Sequence, residues 1–154
     1  MTQDARFEDG SEKPIRLKAQ DADDIAVISS LVQDAILPAS EIAWLPAENR
    51  FGLLLNRFRW ENKNQDAERV QTVLVFDSIT KAKTDGVDPA NKEQILSILS
   101  LSFTPTEDGS GWLTLTLAGD GEIALFAECI DITLKDATKP YIAPSKRRPT
   151  HKLD

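Results

Sequence analysis

The string Asn56-Arg57-Phe58-Arg59-Trp60-Glu61 holds the densest chemistry in this 154-residue chain. Read as a strand, it sets Arg57, Arg59 and Glu61 on one face and Asn56, Phe58 and Trp60 on the other. Side chains two residues apart stand roughly 7 Å apart, since a strand rises about 3.4 Å per residue. Two guanidiniums at that spacing can grip a phosphate or carboxylate through paired N–H donors, so Arg57 and Arg59 are the anion-binding candidates. The plainer reading pairs them with acids of a neighbouring strand on a solvated face, in a chain holding 25 Asp and Glu.

The remaining reactive residue types do not assemble into a site. Cys129 is the single cysteine and His151 the single histidine. A reactive thiol needs a nearby cation or helix N-terminus, and nothing adjacent in sequence supplies one. Cys129 therefore reads as a small buried hydrophobe. Asp77, Asp85, Asp88 and Asp120 have explanations as turn or strand-end acids. Phosphate loops, dinucleotide fingerprints, nucleophile elbows and paired-cysteine or paired-histidine metal motifs are all missing. We accordingly expect no catalytic residue, no cofactor and no metal. Trp44 and Trp60 read as packing residues at the core or its rim. Trp112 starts a strand on the face opposite Leu113, which makes it the contact-surface candidate.

Composition narrows the class. Net charge is -7, with 41% apolar and 28% charged residues, which suits one globular domain large enough to bury a core. The acidic balance argues against general nucleic-acid binding. No run approaches the roughly 18 to 20 apolar residues of a membrane span. The first stretch carries Asp4, Glu8, Asp9 and Glu12, unlike a signal peptide. A cytoplasmic protein with no membrane contact is the expectation.

Periodicity then supplies the elements. Residues 1–13 read as a disordered acidic tail, 14–136 as a single domain, and 137–154 as a basic tail with Pro140, Pro144 and Pro149. Ile15, Leu17 and Ala19 alternate with Arg16 and Lys18 as a short strand. Asp21 caps a helix over about 22–34, whose stripe is Ile25, Ile28, Leu31, Val32 and Ala35. Residues 42–45 and 50–60 form a hairpin across Pro46-Ala47-Glu48-Asn49. Residues 71–83 read as one long strand, buried on both sides or bent near its start. Asp88-Pro89 opens a second, short helix over about 89–97 that feeds a strand at 98–104. A strand at 112–117 turns at Gly119-Asp120-Gly121 into a return strand reaching about residue 134. The apolar face of that return strand shifts parity between Ala127 and Ile130, which predicts a bulge or bend near Glu128-Cys129. The class is α+β, with a strongly twisted or barrel-like antiparallel sheet of six or seven strands.

These strings also carry a resemblance. Ala43-Trp44-Leu45-Pro46, Arg50-Phe51 and Leu53 to Glu61, with Val75-Phe76-Asp77 and Glu128-Cys129-Ile130, resemble an alpha-proteobacterial type of family catalogued as a domain of unknown function. The Asn-Arg-Phe-Arg-Trp-Glu string is its most specific part. The resemblance implies a bacterial protein and transfers no activity and no site residue.

The expected function is a non-enzymatic binding or assembly module that contacts a protein partner, or itself, through a sheet face or edge. The alternative is a small-anion-binding protein or enzyme that uses Arg57 and Arg59 with acids such as Glu61. A weaker third idea is nucleic-acid binding through the basic tail.

Overall fold

Asp21 fixes where the one described helix begins. In the computed structural model, which describes residues 14–61, 68–88, 90–137 and 141–142, its carboxylate accepts the Asp24 N–H at 2.9 Å. Asp24 in turn accepts the Gln20 N–H at 3.1 Å, and Asp23 and Asp24 fill the dipole-favoured first turn. Helix α1 (Ala22–Val32) then buries Ile25, Ile28, Leu31 and Val32, the expected stripe. It ends two residues before the expected limit, because Asp34 adopts a left-handed φ of 65°.

Everything else of regular structure is antiparallel sheet or 3-10 turn. The strands are β1 (Arg16–Ala19), β2 (Ile36–Pro38), β3 (Ile42–Leu45), β4 (Arg50–Phe58), β5 (Glu68–Asp77) and β6 (Ile79–Asp85). They continue with β7 (Ile95–Pro105), β8 (Gly111–Leu117), β9 (Gly121–Ala127), β10 (Ile132–Asp136) and β11 (Tyr141–Ile142). Their order is β1-β10-β5-β4-β2-β7-β8-β9-β6, with β3 added to β4 and β11 to β5. The path ends at β1 and β6, which do not pair, so the sheet is open.

The strand count corrects the expected six or seven to eleven among the described residues. Two corners account for much of the difference. The long strand expected over 71–83 breaks at Ser78, whose φ is 63°. This sends β5 into the middle of one half and β6 to the far edge of the other. The expected return strand likewise ends at Ala127, and β10 starts a new pairing with β5 and β1. The parity shift near Glu128-Cys129 therefore marks a change of sheet half. Two backbone bonds, Asp77 N–H to Asp131 O and Glu128 N–H to Ser78 O, hold the two corners together, and a third, Ile79 N–H to Asn49 O, ties the Ser78 corner to the β3–β4 turn, each at 2.9 Å.

The second helix is also corrected. Residues 90–94 are turns, and 95–97 already belong to β7, paired with β2. Side chains supply the reason. Asp88 accepts the Ala90 N–H, Asn91 accepts the Glu93 N–H, and Gln94 bonds both the Asp88 N–H and the Gly86 carbonyl. Such local bonds satisfy the backbone without a helical ladder. Leu96 and Ile98 then point inward, and a register shift between Ile98 and Ser100 puts Leu101 on the same side. Ile95 and Leu99, which with Leu96 give the helical spacing in the sequence, are exposed.

Both halves of the sheet and α1 share one core, which includes Phe51, Leu55, Leu74 and Phe76 from one half and Leu101, Leu113, Leu115 and Leu125 from the other. The β3–β4 hairpin forms as expected, with Asn49 left-handed at its turn, and the β8–β9 turn takes positive φ at Gly119 and Asp120. The tails at 1–13 and 143–154, with His151, lie outside the described residues. Within the segment read as the C-terminal tail, β11 pairs with the start of β5. Among the described residues no helix is long and apolar enough to cross a membrane.

Gly111 gives this packing a direct test. A Cβ there would lie within 2.7 Å of the Phe103 ring and closer still to the Thr104 carbonyl, between two paired strands. Gly111→Ala should cost about 1–3 kcal/mol by overpacking. The reading is a lower urea midpoint at unchanged slope.

Candidate functional site: a buried arginine–carboxylate cluster

Arg57 lies on the inward face of β4, in line with Leu55, Leu53 and Phe51, and has no exposed side-chain surface. A lone guanidinium in such a place would be prohibitively desolvated, so acids must accompany it. Two do. Glu61, beyond the strand end, grips it end-on through Nη1 to Oε1 at 3.0 Å and Nη2 to Oε2 at 2.9 Å. Asp136, at the end of β10, accepts Nη2 at 3.0 Å and Nε at 3.2 Å. Thr72 of β5 bridges them, taking Arg57 Nε at 3.1 Å and donating to Asp136 Oδ1 at 2.8 Å.

Asp136 also binds the far end of the domain. Its Oδ2 accepts the Ile15 N–H and its own N–H donates to the Ile15 carbonyl, both at 2.8 Å. One buried carboxylate thus joins the start of β1 to β4, β5 and β10.

Arg59 extends the cluster outward. Its Nε donates to Glu61 Oε2 at 3.2 Å and its Nη1 to Glu68 Oε1 at 2.6 Å. Its Nη2 is buried with no hydrogen-bond partner among the described residues. The solvated face expected for these arginines is corrected: Arg57 and Arg59 are 0% and 1% exposed. They sit at the end of the core, where the inward-facing row of β4 runs on past its last apolar residue.

Two guanidiniums meet three carboxylates here, so the local charge opposes a further anion. Burial works against ionising Glu61, but the hydrogen bonds and charge of Arg57 outweigh it and hold this carboxyl below its ordinary value. Burial likewise opposes the charge on Arg57, and Glu61 and Asp136 together raise its pKa above the usual value. Among the described residues no three His, Cys, Asp or Glu side chains are placed to hold a metal ion. The cluster can pin four chain segments; it presents no nucleophile to a substrate.

The other singled-out residues fall elsewhere. Trp112, half-buried on the outer side of β8, meets Phe126 edge-on at 5.2 Å, and the Lys83 ammonium lies 4.7 Å from its ring centre. A shallow depression of about 280 Å³ beside it is lined by Lys83, Thr104, Thr114, Glu122 and Ala124. Trp44 packs half-buried on Phe51, and Trp60 on Phe58 with its indole N–H on the Gln33 carbonyl at 2.8 Å. Cys129 is exposed and not buried, because it sits in the corner segment between β9 and β10.

Sequence reasoning missed Thr72, Glu68 and Asp136 as members of the cluster. A signal was present for two of them. Asp136 continues the inward row of Ile132 and Leu134, and Thr72 that of Leu74 and Phe76, so each puts a polar group on the core side.

An open antiparallel sheet with one described helix packed into its core and a buried ion cluster at one end defines a small β-rich domain. The chain belongs to the family described as "Protein of unknown function (DUF2948)", which matches residues 15–151. No curated protein and no solved structure matches it.

The lowered Glu61 carboxyl fixes a sign for pH dependence. Below the ordinary carboxyl value, 4.5, the unfolded chain binds this proton while the folded protein still resists it. The Glu61 contribution is therefore complete above that pH and disappears as pH falls through the lower folded value. Glu61→Gln should be clearly less stable than the parent at pH 7, with the gap closing in acid. Urea midpoints measured from pH 7 to pH 3 would show it; a pH-independent gap would contradict it.

Proposed function

We propose that this domain is a non-catalytic protein-contact module that works through the outer face of its β5–β4–β2–β7 half. One observation carries the reading. Residues opposite one another across paired strands share a side, and the side facing away from the core presents Leu54, Val73 and Val75, half-buried, around Gly52. The same side continues into Ile36 at 38%, Leu45 at 42% and Ile95 at 64% exposure. The described helix packs into the core on the opposite side. This apolar patch, bounded on the same side by the Arg50–Asp77 ion pair and by Asn56 and Gln71, is left uncovered among the described residues. An apolar patch with such a polar rim is the usual mark of a protein-contact surface. The partner is a second copy or another protein with a matching apolar face.

Size-exclusion chromatography with light scattering, together with a pull-down from native extract, tests this reading. The parent should form a concentration-dependent oligomer or retain a partner, and the double variant Ile36→Glu/Ile95→Glu should lose that while keeping its melting temperature. A strict monomer that retains nothing would refute the reading.

A second reading, a small-anion site at Arg57 and Arg59, has one observation in its favour, the Arg59 Nη2 that has no hydrogen-bond partner among the described residues. The three surrounding carboxylates weigh against it. Inorganic phosphate at millimolar concentration should leave the melting temperature unchanged, whereas a rise abolished by Arg59→Ala would establish the anion site.

A further inference from the structure

Among the described residues the sheet ends at β6, whose sole strand partner there is β9. Its first residue is held by the Asn49 carbonyl, and from Thr80 to Asp85 every residue except half-buried Ala82 is exposed. A free edge of this kind offers unpaired backbone donors and acceptors to an incoming strand.

Two side chains decide which strand can use it. Lys81 and Lys83 stand on the same outer side, each held over an aromatic ring: Lys81 Nζ is 5.7 Å from the Phe126 centroid and Lys83 Nζ 4.7 Å from that of Trp112. Neither lysine takes part in an ion pair among the described residues, so both ammoniums are open to an incoming carboxylate. The rings restrict both ammoniums in advance, which lowers the ordering cost of meeting an anion.

We propose that the free edge of β6 takes up an extended acidic segment of a partner protein by strand addition, its alternate carboxylates facing Lys81 and Lys83. Residues two apart in the added strand repeat every 6 to 7 Å or so, as the two lysines do. Opposite charges facing across a strand pair stabilise it, and like charges disfavour it. A second copy of β6 in the register that sets Lys81 against Lys83 is therefore disfavoured. The same lysines repel basic strands and offer neutral ones no charge partner, so one device both guards the edge and selects an acidic occupant. Backbone pairing supplies affinity and the lysines supply selection. This surface is separate from the outer apolar strip, and the two can fail independently.

The test is fluorescence anisotropy on the full chain with a labelled, acetylated and amidated peptide Thr-Val-Glu-Val-Glu-Val-Thr. It should bind at least about tenfold more tightly than Thr-Val-Lys-Val-Lys-Val-Thr. Lys81→Glu/Lys83→Glu, which alters only exposed side chains, should abolish binding while leaving the melting temperature in place. Versions of the glutamate peptide N-methylated along one edge or the other identify the pairing: at least one must lose binding. The proposal is overturned if both methylated peptides bind like the parent or if the double variant still binds. It is equally overturned if no binding appears up to millimolar peptide, or if a single-stranded oligodeoxynucleotide occupies the same lysines more tightly.

Discussion

Burying a guanidinium is tolerable only when acids follow it out of water, and Arg57 brings Glu61 and Asp136 with it. The rest of the architecture is arranged around that requirement. Glu61 must fold back from beyond β4, Asp136 must reach in from the end of β10, and Thr72 must face both from β5. Asp136 Oδ2, which accepts Arg57 Nη2, also holds the Ile15 N–H. The entry to β1 therefore depends on a charge pair that reaches across β10 and β5 to β4. A hydrophobic plug at the same place would fill the volume but could not dictate which strands meet. The cluster reads as a device for specifying register at the open end of the core, where apolar packing alone discriminates weakly.

The two sheet halves divide the labour. One is closed at its end by the ion cluster and has an apolar outer side. The other carries the aromatic pair Trp112–Phe126, the two lysines and the free edge of β6. The surfaces differ in chemistry, so a partner suited to one is not suited to the other. The helix serves neither surface; it fills the interior between them.

Much of this architecture is written in local pattern. The Asp21 cap, the stripe of α1, the β3–β4 hairpin and the β8–β9 turn depend on residues close in sequence, and each forms where its spacing predicts. The failures share a cause. Ser78 has nothing in its neighbours to announce a left-handed corner, so 71–83 reads as one strand. Ile95, Leu96 and Leu99 fall at a helical spacing after Asp88 although Ile95 and Leu99 face outward, and the side-chain bonds of Asp88, Asn91 and Gln94 are visible only once folded. Arg57 and Arg59 stand out by type, but their burial depends on Asp136, 79 residues from Arg57. No window on the chain spans that distance. Asp136 itself sits at the inward parity of β10, a clue readable only after the parity change at Glu128-Cys129 is understood as a change of sheet.

The pairing of Arg16 with Lys135 places the first and last residues of the central body side by side. Strand β1 can be seated only after a loop spanning nearly the whole domain has closed, an entropic toll that falls late in assembly. The same adjacency means that the chain could be reopened elsewhere and its old ends bridged by a short linker without disturbing the core. In that respect the domain is nearly circular, although its sheet is not.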